Sequence, residues 1–190
     1  MEVGCEDEDL RIKMLKENIQ FYPDFPKQGV IFQDIFGAMR KAPVLKVLME
    51  LIQEYARKFQ GKVDCLVGLD SRGFLFGPIM ALELEVPFIP IRKKGKLPGE
   101  CSVTSYDLEY GSATFELQKN AFEFCNKHDK KSRTMIVDDL LATGGTMKAA
   151  CDLVNAQDDA VVTHAFVLIG HGGYSKLPSN INFEYLISYE

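Results

Sequence analysis

The sequence has 190 residues, 46% of them hydrophobic and 26% charged, which fits one globular domain with a substantial core. A formal net charge of −5 argues against general nucleic-acid binding, so any basic cluster has to be local and specific. The cysteines Cys5, Cys65, Cys101, Cys125 and Cys151 include no Cys-x-x-Cys pair, and His128, His164 and His171 lack metal-ligand spacing; both facts argue against a disulfide frame or structural zinc and for reduced thiols in the cytoplasm. The acidic segment 1–9 has the composition of neither a signal nor a transit peptide. No apolar run approaches membrane length, and no repeat or linker interrupts the chain, so a single domain over 1–190 is expected.

In chain order, Asp9 is placed to cap a helix running to about residue 20, with Leu10, Met14 and Leu15 on one face. Two prolines among the aromatics of 21–26 then break the helix. Apolar residues at helical spacing over 43–59, with Pro43 in the first turn and Gly61 beyond the end, predict an amphipathic helix. The mostly apolar run 63–69 reads as a buried parallel strand, ending in Asp70-Ser71-Arg72-Gly73, with a helix over 75–84. A strand over 88–91 runs into Arg92-Lys93-Lys94-Gly95-Lys96. Residues 97–111 are polar and glycine-bounded and read as a mobile lid, from which Phe115 and Leu117 mark a returning strand. A short helix or turn over 121–129 precedes a strand at 135–137. Helix 147–154, strand 161–169 and an edge strand or extended tail at 183–187 complete an α/β pattern: a central, mostly parallel five-stranded sheet flanked by helices.

The chemistry concentrates in 134–146. An apolar strand runs to Asp138 and Asp139, where it is expected to end; Thr143-Gly144-Gly145-Thr146 follows, then a helix. In open α/β sheets ligands sit beyond the carboxyl ends of strands. Glycines let backbone N–H groups approach an anion, and the helix N-terminus adds partial positive charge. The two threonine hydroxyls can donate to the same phosphate, and adjacent acids suit a sugar diol, a metal or both. No Lys follows the glycines, so this is not a Walker loop, and it is not G-x-G-x-x-G. Taken singly, each feature has a plainer reading: an ordinary strand–helix turn at 143–146, a surface Arg72 paired with an acid, a solvated basic turn at 92–96. A polyanion site at a strand's carboxyl end accounts better for that basic run on an acidic chain.

Three strings carry a resemblance: Val-Asp-Asp-Leu-Leu-Ala-Thr-Gly-Gly-Thr at 137–146, Gly-Leu-Asp-Ser-Arg-Gly-Phe-Leu-Phe-Gly at 68–77, and Tyr-Asp-Leu-Glu-Tyr-Gly at 106–111. With the stretch 21–35 they stand in the order found in the adenine phosphoribosyltransferase family of type I phosphoribosyltransferases, which the chain resembles from about residue 21 to 169. The resemblance implies the type I fold, with a small N-terminal hood at about 21–35 and a flexible catalytic lid at about 97–111. It implies reversible transfer of 5-phosphoribose from 5-phosphoribosyl 1-diphosphate to adenine, giving AMP and diphosphate, in a cytoplasmic homodimer using Mg²⁺. Ile31 and Gln33 fall at base-holding positions of the hood, Gln33 where the family often has Arg. Ser71 and Arg72 fall in the pyrophosphate loop, often with a strained non-proline peptide; Arg92, Lys93 and Lys96 fall where the diphosphate is neutralised. Asp138 and Asp139 would hold the ribose hydroxyls, directly or through metal, and Ala142, Thr143, Gly144, Gly145 and Thr146 the 5-phosphate. Glu109 would move a proton at the purine and Tyr110 would stabilise the closed lid.

One segment departs from the family pattern. Ile169-Gly170-His171-Gly172-Gly173 stands where the family has an acid and a leucine that lines the base pocket. Gly170 there removes packing worth about 1–3 kcal/mol unless another side chain fills the space. Together with Gln33, this keeps open a diverged paralogue with weak activity or another base; a non-catalytic nucleotide-binding regulator is a second alternative, against which the lid string with Glu109 and Tyr110 and the acidic net charge weigh.

Overall fold

The computed structural model describes residues 4–108, 111–125, 130–170 and 177–189. The chain divides into two compact units, residues 1–54 and residues 55–190. The first holds α1 (Gly4–Asn18), the hairpin of β1 (Gln20–Pro23) and β2 (Ile31–Asp34), α2 (Ile35–Met39), and most of α3 (Ala42–Arg57). Helix α1 begins at Gly4, so Asp9 lies inside it and does not cap it; no proline or β-branched residue in 4–9 stops the helical backbone from extending back. Asp34 caps α2, its Oδ1 accepting from the Phe36 amide at 3.0 Å. Arg11 forks onto Glu54 with two 2.8 Å bonds, tying α1 to α3. The hairpin loop contains the cis Phe25–Pro26 bond, and Phe25 meets Phe32 edge-on at 5.1 Å.

The second unit is built on a seven-stranded sheet of β3 (Cys65–Leu69), β4 (Phe88–Lys93), β5 (Cys101–Leu108), β6 (Gly111–Gln118), β7 (Ser132–Leu141), β8 (Ala160–Gly170) and β9 (Asn182–Ser188), in the order β5-β6-β4-β3-β7-β8-β9. Its five neighbouring strands from β4 to β9 are parallel; β6 and β5 add an antiparallel ribbon to one edge. The expected five-stranded, mostly parallel sheet thus has seven strands: β6 forms at the expected returning strand, β9 at the expected edge, and β5 is added beyond β6. Every residue of β3 is buried, as a strand covered on both faces requires. Helices α4 (Gly73–Leu84) and α5 (Gly145–Asn155) follow β3 and β7. Met147, Ala150, Leu153 and Val154 of α5 join the cluster containing Val67, Ile136 and Val167.

Two expectations change. Residues 101–108, expected within a loop, form a strand paired with β6 from Cys101↔Gln118 to Leu108↔Gly111. An antiparallel ribbon that meets solvent needs no continuous apolar run, and Val103, Thr104 and Tyr106 supply strand-forming side chains. Likewise β7 does not end at the acid pair. Strand β8 runs to Gly170 and pairs Asp138↔Val167, Leu140↔Ile169 and Leu141↔Gly170, so both acids lie in the strand itself. Among the described residues, 121–125 form turns and no helix, and no helix is long and apolar enough to cross a membrane.

Candidate active site

Strands β3 and β7 are neighbours, so their C-terminal ends open side by side. Strand β3 runs into Asp70 and Ser71, joined by a cis peptide, the non-proline irregularity the family pattern suggests. Gly73 begins α4 where a Cβ would lie 2.3 Å from the carbonyl oxygen of Val137; only glycine lets the helix come this close to β7. That approach places Arg72 beside the acid pair, its Nε 3.0 Å from Asp139 Oδ2. From β7, the chain turns through Ala142–Thr143 into Gly144, whose φ of +79° places it in the region that favours glycine, and on into α5. Neither α4 nor α5 has a side chain capping its N-terminus, which leaves first-turn amides for an anion.

These ends enclose a cavity of about 550 Å³. Ser71, Arg72, Lys93, Asp138, Asp139, Ala142, Thr143, Gly144 and Thr146 all line it. The ribbon supplies another wall, with Tyr106 and Phe115 lining the cavity, their rings 4.8 Å apart, and Thr146 near the Tyr106 hydroxyl. Arg92 and Lys96 stand one layer back. Arg92 Nε lies 3.0 Å from Asp70 Oδ2, and its Nη1 donates to the Lys96 carbonyl at 3.2 Å. Gly145 is the first residue of α5 and does not line the cavity. Ile31 and Gln33 lie on β2 of the first unit, Ile31 exposed and Gln33 buried. Glu109, Tyr110 and His171 fall outside the described residues.

The acid pair is electrostatically costly. Burial pushes Asp138 well above the ordinary carboxylate range, and the adjacent Asp139 adds to the rise. Burial also raises Asp139, opposed by the Arg72 guanidinium. Asp138 Oδ1 accepts from the Asp139 amide at 3.0 Å. Asp139 Oδ2 is buried without a hydrogen bond, because its contact with Arg72 is not aligned as one. Two neighbouring carboxylates, one with a buried oxygen that meets the Arg72 guanidinium without a hydrogen bond, suit a hard cation that takes its remaining oxygens from substrate and water. No group of three or more acidic, histidine or cysteine side chains converges to hold a metal alone among the described residues.

Two residues escaped the sequence reading. Asp70 holds Arg92, and Glu116 on β6 is 5% exposed and accepts from the amides of Gly95, Lys96 and Leu97 at 2.9, 2.6 and 2.5 Å. The available signal was a lone acid between the apolar Phe115 and Leu117. Of the departing segment 169–173, Ile169 and Gly170 are described, and a Cβ on Gly170 would lie 2.7 Å from the Tyr185 ring of β9.

A family model described as the phosphoribosyl transferase domain matches residues 40–186. The adenine phosphoribosyltransferase of Drosophila pseudoobscura pseudoobscura is 44% identical over 95% of this chain and 96% of its own. The crystal structure of the Saccharomyces cerevisiae adenine phosphoribosyltransferase, complexed with an imino-altritol bisphosphate and adenine, superposes with a TM-score of 0.81 at 37% identity, covering 94% of this chain and 99% of that one. The Trypanosoma brucei adenine phosphoribosyl transferase, in complex with AMP, pyrophosphate and ribose-5-phosphate, gives a TM-score of 0.78 at 27% identity over 94% of this chain and 79% of that one. With the cavity built from the family's own strings at the ends of β3 and β7, this chain belongs to the adenine phosphoribosyltransferase family of the type I phosphoribosyltransferases.

Proposed function

We propose that this protein transfers the 5-phosphoribosyl group from 5-phosphoribosyl 1-diphosphate to adenine, forming AMP and diphosphate in purine salvage. The observation that carries the reading is the meeting, in one cavity, of a cationic loop, a buried acid pair and a glycine–threonine turn. AMP, pyrophosphate and ribose-5-phosphate, the molecules held by the trypanosomal relative, are the products and fragments for which such groups are suited.

Cleavage of the anomeric C–O bond sends negative charge to the diphosphate and leaves positive charge on the ribose. Ser71 and Arg72, with Arg92, Lys93 and Lys96, receive the departing diphosphate; the guanidiniums can bind its oxygens bidentately. Asp138 and Asp139 bind the ribose hydroxyls and favour the cationic sugar electrostatically. The amides and hydroxyls of Ala142, Thr143, Gly144, Gly145 and Thr146 anchor the 5-phosphate. Asp138 and Asp139 are also the residues that would hold Mg²⁺, directly or through substrate and water. When bound, Mg²⁺ supplies a template and Lewis-acid assistance to the diphosphate. Ile31 and Gln33 contact the base, Glu109 takes the proton from the purine ring nitrogen, and Tyr110 stabilises the closed ribbon. The ribbon excludes water from the reacting carbon. The reading extends to a cytoplasmic homodimer; the buried free thiols Cys65, Cys125 and Cys151 suit a reducing compartment.

The test is diphosphate release from 5-phosphoribosyl 1-diphosphate and Mg²⁺ with adenine, hypoxanthine, guanine or no base. Turnover with adenine alone is expected. Release with another base in its place would reassign the acceptor, and release with none would remove the reaction.

A further inference from the structure

Glu116 is a buried acid outside the cavity, and its partners are the backbone of the loop that follows β4. Its Oε2 accepts from the Gly95 amide at 2.9 Å, and its Oε1 from the Lys96 and Leu97 amides at 2.6 and 2.5 Å. Gly95 has φ +82°, the left-handed conformation with which consecutive amides turn inward to form an anion-binding nest. Here the anion is the protein's own carboxylate. The Lys96 carbonyl of the same loop accepts from Arg92 Nη1 at 3.2 Å, and Arg92 Nε lies 3.0 Å from Asp70. Asp70 begins the cavity-lining stretch whose Arg72 reaches Asp139. An unbroken series of contacts therefore runs from the ribbon, through the basic loop, to the acid pair.

We propose that Glu116 is a positioning residue that fixes the basic loop, and through it Arg92, in the arrangement that receives the diphosphate. It touches none of the reacting atoms. The proposal rests on the phosphoribosyl transfer proposed above and adds a residue to it. Because Glu116 lies on β6, opposite Arg92 in the β4–β6 register, its carboxylate ties the ribbon to the diphosphate loop. Adenine binding does not depend on it.

Steady-state kinetics of Glu116→Ala and Glu116→Gln, with each substrate varied in turn, test this. Glu116→Ala should raise KM for 5-phosphoribosyl 1-diphosphate about tenfold or more while kcat changes less than about threefold and KM for adenine holds. Glu116→Gln keeps one acceptor oxygen and should fall between, which also guards against a failure of the Ala variant to fold. Calorimetric titration with inorganic diphosphate should show the same ranking. Unchanged diphosphate affinity in both variants would overturn the proposal, as would an equal rise in both KM values. A wild-type protein that binds diphosphate but makes no AMP would contradict the proposed reaction, while the variants' diphosphate affinities would still decide the role of Glu116.

Discussion

The β3–α4 and β7–α5 units share a plan, a buried parallel strand leading through a short turn into a helix whose N-terminus no side chain caps. They offer an anion different groups. After β3 the turn supplies a side chain, Arg72, held against Asp139 by a glycine that lets α4 press on β7. After β7 the turn supplies backbone and hydroxyls, with Gly144 at positive φ and two threonines nearby. A guanidinium suits a leaving group whose charge grows during reaction, because it can follow and neutralise that charge. Fixed amides suit a phosphate that must stay in place. In the proposed reaction this difference would let one end of the sugar phosphate be released while the other is held.

Substitutions on each side sharpen that contrast. The largest effect is expected from Arg72→Ala, which removes the charge proposed to meet the diphosphate and leaves Asp139 without its cation; kcat/KM for the diphosphate sugar should drop about 10²–10³-fold. Arg72→Lys should recover little of it, since a point charge does not reproduce the fork. Equal activity in the Lys variant would remove bidentate binding from the account. Gly73→Ala should come next, seen in thermal unfolding. A Cβ 2.3 Å from a backbone oxygen forces α4 off β7 at a cost of about 1–3 kcal/mol, and a chain of this size loses about 2–4 °C in Tm per kcal/mol.

Asp138 connects the two units to pH. Its pKa is raised by burial and by Asp139, so its contribution to stability is complete below the ordinary aspartate range and is lost as pH rises through the raised value. Without divalent metal, Asp138→Asn should therefore gain Tm over wild type as pH rises from 4 to 7, while losing activity. A constant difference across that range would show that Asp138 is not destabilised by its site. The smallest effect belongs to the ribbon: Tyr106→Phe deletes the hydroxyl that lies near Thr146 at the cavity wall and should lower kcat/KM only about two- to tenfold.

Much of this site was legible in the sequence because its parts are local strings. Asp138 through Thr146 and Ser71–Arg72 each fall in one strand–turn–helix segment, where glycines and hydroxyls declare the turn. Strand ends were less legible. The β7 boundary depends on how far β8 extends beside it, and no window around Asp138 contains that information. The ribbon was hidden for a related reason: its strand character comes from pairing with 111–118, and its polar composition reads as loop when taken alone. Glu116 and Asp70 make their contacts 19 to 22 positions away, beyond any local pattern. The Tyr185 ring beside Gly170 is likewise a contact between strands.

The adjoining ends of β3 and β7 are proposed to form one binding site for the two charged ends of 5-phosphoribosyl 1-diphosphate. Calorimetric titration of that compound with and without Mg²⁺, into wild type and into the double variant Asp138→Asn with Asp139→Asn, tests it most directly. Saturable, Mg²⁺-dependent binding is expected for wild type, with that dependence lost in the double variant. Intact Mg²⁺-dependent affinity after both acids are removed would contradict it.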